Sequence, residues 1–443
     1  MLSHMTGFRT GRVGRLANLG ALAARLGGSA VGMVGKRITA GRDQALEALH
    51  RRTAEQLFET MGQMKGLPMK VGQILSFMDG VVPPEYQRIY GELLSRLQIN
   101  AQPLPWPQMQ ALLEAELGQP YTEVFASFEI EPIAAASIGQ VYRATLADGR
   151  AVAVKIQYPG IAEALHSDLD NAGSIAKTMS AIVPNVQAKV MIQDFLERIG
   201  EECDYRREAA NMAMFRDRWA GDPRVRIPAV QTELSRERVL VSEFMPGARF
   251  DEIVATADAD RRSAIGVVLF EFVFRSLLTH GMFNADPHPG NFLFPADDQV
   301  VFLDFGCVQT FDEQTRAGMR SVVEAILAGA KGDELWTVLA AALEFPDDTS
   351  VPLRGILVDF VLFCFEPALQ PQPYRYTRAY TSRLSELAMQ TKMTVAKNLL
   401  RIGWREPKRH GLVLLSRILF GMNSLLASLE AEADWRSMLL ELC

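Results

Sequence analysis

The chain has 443 residues, 48% of them hydrophobic and 22% charged, with a formal net charge of −6. Its length implies roughly two or three domains, or one elaborated domain, with a large core, and its charge gives no global reason to bind nucleic acid. Cys203, Cys307, Cys364 and Cys443 are scattered without a C-x-x-C pair. That argues against a zinc site or a disulfide framework and fits a reducing, cytoplasmic compartment.

Residues 1–42 form a leader with seven basic side chains (Arg9, Arg12, Arg15, Arg25, Lys36, Arg37 and Arg42) ahead of the first acid, Asp43. Leu16, Leu19, Leu22 and Leu26 fall at helical spacing among them, the pattern of a basic amphipathic helix that lies on an anionic membrane surface. Residues 43–118 read as a helical extension, interrupted by the proline-punctuated NAQPLPWPQ and ending at Gly118. The texture then changes. Over 119–246 the sequence predicts a small β-rich lobe with a helical insertion across 160–220; its strands flank an Asp148-Gly149 hairpin turn, and RIPAV and RVLVSEF close it. Residues 247–443 read as a mainly helical lobe broken by one hairpin near 283–306. The expected fold is therefore α+β and two-lobed. No apolar run reaches the roughly 18 residues of a membrane span: Glu271 and Arg275, Asp359, and Arg417 interrupt the candidates.

The chemistry-bearing residues come in a fixed order. Lys155 sits in the alternating strand AVAVKIQY, where A-V-A-V-K matches the kinase pattern V-A-I-K and a lysine can hold α- and β-phosphates. Glu202, Asp204 and Glu208 in EECDYRREAAN are candidate acidic partners, expected in one helix, and Glu208 is the choice to orient Lys155. In FNADPHPGNFLF, Asp286 and Asn291 match the D-x-x-x-x-N of a kinase catalytic loop, and Asp304 of LDFG supplies a second metal ligand on the next strand. Asn291 and Asp304 offer hard oxygen donors suited to Mg²⁺, and Asp286 serves as the base or positions the attacking hydroxyl. His288, between two prolines, reads as a loop-shaping residue. VLVSEF, ending near Glu243, fits a segment whose backbone meets an adenine.

There are also departures from a protein kinase. Where a glycine-rich cover is expected, the chain has Ala134, Ala135, Ala136 and Ser137 before a single Gly139, a stiffer loop, because alanine avoids positive φ. After DFG a helical pattern resumes within a few residues and no A-P-E follows, so little room is left for a protein-substrate platform.

PMKVGQ (68–73), AAASIGQV, AVKIQYPG, ECDYRREA and ADPHPGN…LDFG, in that order, resemble the UbiB/AarF family of atypical kinase-like proteins, over roughly residues 60–310. The resemblance implies a protein-kinase-like fold that binds ATP or ADP with Mg²⁺. It also implies an ATPase activity that supports ubiquinone biosynthesis, and association with membranes and with lipid or quinone intermediates. By the same resemblance, Lys70 and Gln73 of the K-x-G-Q segment lie over the active site, and Glu202 and Asp204 engage Lys70, which leaves Glu208 for Lys155. Many family members carry a C-terminal transmembrane anchor and a histidine at the position of Asn284; neither is present in this sequence. The competing readings are a small-molecule kinase of the aminoglycoside or choline type and a nucleotide-binding scaffold without turnover. The alanine segment and the K-x-G-Q motif argue against the first, and a candidate base at Asp286 argues against the second.

Each lysine or arginine near an anionic surface contributes about 1 kcal/mol, attenuated by salt. The full chain is expected to co-sediment with anionic but not neutral liposomes in a salt-sensitive way, and a chain beginning at Asp43 to lose most of that binding while staying folded. Equal binding by the shortened chain would remove the leader from the membrane contact.

Overall fold

The computed structural model describes residues 104–136, 138–163, 203–284, 288–297, 299–345, 347–387, 390–391 and 421–443. The chain divides into two compact units. One runs to Arg206 and takes in Gln231–Ser242, and the other comprises Arg207–Val230 and Glu243–Cys443. Helix and strand labels below number the described elements only.

The first unit is built on an antiparallel sheet. After helix α1 (Trp106–Leu117) and the short α2 (Tyr121–Val124) come β1 (Phe125–Phe128), β2 (Ala134–Ala136), β3 (Gly139–Leu146) and β4 (Ala151–Gln157). The order is β1-β3-β4-β6, with β2 paired to β3 and β6 formed by Val239–Glu243. Helix α1 stops where the sequence predicts, because Gly118 takes φ 73 and its N–H closes on the Glu114 carbonyl. The β3–β4 hairpin turns at Asp148-Gly149: Gly149 sits at φ 86, and the Asp148 carboxylate accepts the Arg150 N–H at 3.0 Å. Strand β4 alternates as a half-buried strand must. Val152, Val154 and Ile156 go into the core, while Ala151, Ala153 and Lys155 occupy the other face. Trp106, Tyr121, Phe128 and Tyr142 pack in edge-on and tilted pairs 4.9–5.6 Å apart and join the helices to the sheet. Glu116 holds Arg238 by two donors at 2.9 and 3.2 Å, which binds α1 to the start of β6.

Ala134–Ala136 form a strand where the sequence suggested a loop. Ala135 opposes Gln140, and Ala136 opposes Gly139. Extended backbone is cheap for alanine and positive φ is not, so the segment pairs along β3 instead of arching away.

The second unit centres on α5 (Ala259–Leu278), whose buried face includes Ile265, Leu269, Phe272 and Leu278. Asp258 starts it by accepting the Arg261 N–H at 2.8 Å. Around it lie α3 (Tyr205–Trp219), which begins in the first unit, and α4 (Phe250–Thr256), α6 (Glu313–Ala328), α7 (Gly332–Leu343), α8 (Val351–Cys364), α9 (Glu366–Leu369) and α10 (Trp435–Leu442). The expected hairpin near 283–306 is a nested pair. β7 (Met282–Asn284) pairs β10 (Val308–Thr310), and inside it β8 (Phe292–Leu293) pairs β9 (Val300–Phe302). β5 (Val225–Arg226) adds to β9 in parallel. A further two-stranded pairing, β11 (Tyr374–Arg375) with β12 (Glu432–Ala433), has no counterpart in the sequence reading. Each strand is two residues long, too short for any alternation to show. Among the described residues, no helix is long and apolar enough to cross a membrane.

Two glycines separate close approach from open space. A Cβ at Gly139 would fall on the Ile156 carbonyl oxygen and lie 3.0 Å from the Tyr205 hydroxyl, whereas one at Gly355, on the exposed face of α8, meets nothing within 4 Å. Gly139→Ala is therefore expected to cost about 1–3 kcal/mol, and Gly355→Ala to gain about 0.5–1 kcal/mol, both measured by urea unfolding. Equal stabilities for the two variants would contradict the tight β3–β4 approach.

Candidate active site

In the first unit, the register of β3 and β4 sets Val141 opposite Lys155 and Gly139 opposite Gln157. The Lys155 ammonium lies over the Tyr205 ring, 4.9 Å from its centroid. Tyr205 is the first residue of α3, and its N–H donates to the Glu237 carbonyl at 2.9 Å. The sequence suggested a helix running through Glu202 and Asp204. The structure starts it at Tyr205 and leaves Asp204 ahead of it, where its carboxylate accepts the Arg206 N–H at 3.0 Å. A short acidic side chain satisfies an orphan N–H at a helix start better than it continues the helix.

Two buried glutamines that sequence reasoning did not single out hold this region. Gln140 accepts the Leu104 N–H at 3.1 Å and donates back to the Leu104 carbonyl at 3.4 Å, a reciprocal pair that fixes the entry to α1. Gln157 donates to the Cys203 carbonyl at 2.5 Å and lies 3.4 Å from the Glu237 carbonyl. Both side chains are fully buried, so their amides compensate backbone groups that water cannot reach. The available signal was faint: a glutamine directly after Gly139 and another two residues past the strand lysine.

In the second unit a backbone register brings Asn291 of FNADPHPGNFLF close to the LDFG segment. Pro289–Asn291 form a single 3-10 turn, and His288 caps it by accepting the Gly290 N–H on Nδ1 at 3.0 Å. His288 is thereby a loop-shaping residue, as expected. Phe292 opposes Phe302, and the Leu303 N–H donates to the Asn291 carbonyl at 3.0 Å. This register brings Asn291 beside the residue preceding Asp304. One Asp304 oxygen, Oδ1, accepts the Gly306 N–H at 2.9 Å, which folds the D-F-G segment into a tight turn. The Asp304 carbonyl accepts from the Asn284 amide at 2.5 Å, so Asn284 ties β7 to the DFG segment.

Phe305 is completely buried. Its carbonyl accepts from Asn211 of α3 at 2.9 Å, and its ring packs on Phe215 at 4.9 Å. Phe215 and Trp219 in turn stack on Phe272, which stacks on Phe302 at 3.6 Å. One aromatic column thus joins α3, α5, β9 and the DFG phenylalanine. Glu208 lies one turn before Asn211 and is 3% exposed, an unusual depth for a carboxylate. Glu243 has its N–H bonded to the Ala229 carbonyl at 2.8 Å, and its carboxylate accepts the Ala229 N–H at 3.2 Å. Lys70, Gln73, Ser137, Glu202 and Asp286 lie outside the described residues.

Asn291 and Asp304 carry hard oxygen donors, an amide and a carboxylate, the donor type that would suit Mg²⁺. A cavity of about 390 Å³ elsewhere in this unit shares no residue with them. It is lined by Arg218, Arg224, Arg275 and His280 at the C-terminal ends of α3 and α5, where cations offset the helix dipoles. Arg224 pairs there with Asp222, at 2.6 Å, and with Glu271. Those contacts hold the Asp222 carboxyl below its usual range, while burial and neighbouring arginines push the His280 imidazole down.

The ABC1 atypical kinase-like domain family matches residues 96–333, more than half of the chain. The chain belongs to this family, the UbiB/AarF group of atypical kinases. It is 36% identical over 328 residues to the rat protein "Atypical kinase COQ8B, mitochondrial", covering 73% of this chain and 61% of that one. It is 29% identical over 362 residues to yeast "Atypical kinase COQ8, mitochondrial", covering 81% and 71%. A solved structure, Rv3197 from Mycobacterium tuberculosis in complex with erythromycin, matches with TM-score 0.61 at 30% identity, over 91% of this chain and 98% of that one. The chain spans 61% of the rat relative and 52% of the zebrafish one. The kinase-like fold expected from the motifs is thus present, with an antiparallel sheet in one unit and helices dominating the other.

The Asn284 amide supports the DFG turn from outside it. Asn284→Ala is expected to cost about 1 kcal/mol, the worth of one hydrogen bond. Asn284→His, which keeps a ring N–H able to donate, is expected to recover part of it. Urea unfolding of the three proteins checks this, and an alanine variant as stable as the parent would contradict it.

Proposed function

We propose that the chain is an ATP-dependent atypical kinase-like enzyme that binds a magnesium adenine nucleotide and supports ubiquinone or other lipid metabolism. The observation that supports this reading is the β8–β9 register, which sets Asn291 beside Leu303, the residue before Asp304, with Phe305 buried next to them. Asn291 and Asp304 are the residues assigned to Mg²⁺, which would neutralise phosphate charge when bound. Lys155 is the phosphate cation and Glu208 the carboxylate assigned to orient it. Asp286 is the group that takes or orients the proton of the attacking hydroxyl. Ala134–Ala136 border the phosphates as a stiff strand, Ser137 is assigned to the same phosphate contact, and the backbone near Glu243 meets the adenine. Since the Glu243 N–H is already bonded to Ala229, that contact would use the carbonyl.

The acceptor is small or lipid-borne on this reading. Between Gly306 and α6 the chain has only β10 and the capping Asp312, which accepts the Thr315 N–H at 2.8 Å. So short a connection leaves no extended platform for a protein substrate. Lys70, Gln73, Glu202 and Asp204 are assigned the regulatory role of covering the site, and Asp204 retains one carboxylate oxygen beyond its bond to Arg206. A peripheral position on an anionic membrane, near lipid or quinone intermediates, completes the proposal.

The test separates ligand shell from chemistry. Asp304→Asn is expected to abolish the Mg²⁺-dependent thermal stabilisation by ATP or ADP without unfolding the chain. Asp286→Asn is expected to keep nucleotide affinity and lower phosphate release by about 100-fold or more. Normal stabilisation of the first variant by MgATP, or normal turnover by the second, would refute these assignments.

A further inference from the structure

The strand lysine of this chain, Lys155, lies against the ring of a buried tyrosine. We propose that Tyr205 is a positioning residue for Lys155: its ring face holds the ammonium in one place, so that the lysine presents its charge in a single direction. The functional consequence rests on the nucleotide reading given above, while the positioning itself stands on geometry alone.

Lys155 Nζ lies 4.9 Å from the Tyr205 ring centroid, within the range in which a ring quadrupole attracts a cation. The lysine stem carries four rotatable carbons and is only half-buried, so by itself it would sample many rotamers. Tyr205, by contrast, is 1% exposed. Its backbone N–H is bonded to the Glu237 carbonyl at 2.9 Å. The carbonyl of Cys203, two residues earlier, is held by the Gln157 amide at 2.5 Å.

Gln157 is on β4, two residues beyond Lys155 and therefore on the same face of the strand. The strand that carries the lysine thus also anchors the segment that carries the ring. Gly139, opposite Gln157 in the register, completes the arrangement: a Cβ there would lie 3.0 Å from the Tyr205 hydroxyl. The bare glycine lets the phenol reach the sheet. Gly139, Gln157 and Tyr205 come from the three motifs AAASIGQV, AVKIQYPG and ECDYRREA. Together they form one device that determines where the Lys155 charge sits.

A ring that only filled space would be replaceable by leucine, and one that acts through its π face would not. The full chain is reductively methylated with a ¹³C label, which keeps lysine cationic, and the Lys155 signal is assigned by its loss in Lys155→Arg. In the parent and in Tyr205→Phe the signal is expected upfield, shifted by the ring current; in Tyr205→Leu it is expected at the position of an exposed lysine. Pentafluorophenylalanine at 205, which keeps the ring and its packing but reverses the quadrupole, covers the case in which the leucine variant does not fold. MgATP affinity is expected to be similar for Tyr and Phe and weaker by about 2- to 30-fold for Leu and for the fluorinated ring. A Lys155 signal that does not move in Tyr205→Leu overturns the positioning role. A fluorinated ring that binds MgATP as well as Phe overturns its electrostatic basis. If Lys155→Ala binds MgATP normally, the nucleotide assignment fails instead, and the ring-current shift alone decides the role of Tyr205.

Discussion

Everything assigned to the second unit's site depends on one antiparallel register, Phe292 opposite Phe302. Side chains in a strand alternate, so a slip of one residue would turn Asp304 to the other face and separate it from Asn291. Such short strands cannot hold a register by backbone pairing alone. The column of Phe215, Trp219, Phe272 and Phe302 supplies what is missing, because Phe302 stacked at 3.6 Å on Phe272 has no alternative seat of the same shape. Phe305 extends the same column toward α3, where Asn211 satisfies its carbonyl. Polar ligands are therefore positioned by an apolar core, and the two carboxamides at Asn211 and Asn284 translate that core into the orientation of the DFG backbone.

The first unit solves a similar problem with glutamines. A sheet edge and a helix start both expose backbone carbonyls and N–H groups that must be paired once buried. Gln140 and Gln157 each reach two such groups far away in the chain, Gln140 from β3 beside the alanine segment and Gln157 from the next strand, β4. The substitution of alanine for glycine in that segment then has a structural sense. A glycine-rich cover gains mobility by populating positive φ, whereas Ala134–Ala136 are paired along β3 and have exchanged mobility for a fixed strand.

Local chemistry was legible in the sequence. The Asp148-Gly149 turn, the stop at Gly118, the alternation around Lys155 and the loop role of His288 depend on neighbours within a few residues, and the structure has them as the sequence implied. Less legible was anything decided by a distant carbonyl. Gln140, Gln157, Asn211 and Asn284 show no periodicity and belong to no local turn, because their partners lie from 20 to 94 residues away. The start of α3 is hard to place from sequence because helical composition continues upstream of Tyr205, while the Asp204 side chain accepts a first-turn N–H that has no partner within the helix. The strand character of Ala134–Ala136 was likewise hidden, since alanine signals helix by propensity and its pairing with β3 is a tertiary fact.

The central claim is that Asn291 and Asp304 serve one metal ion. A double-mutant cycle tests it most directly, with MgADP affinity measured by calorimetry for the parent, Asn291→Ala, Asp304→Ala and the double variant. Two ligands of one ion are coupled, so the second substitution acts on a site already lost. The account predicts that the double variant binds hardly more weakly than the worse single variant. Losses that simply add would contradict it.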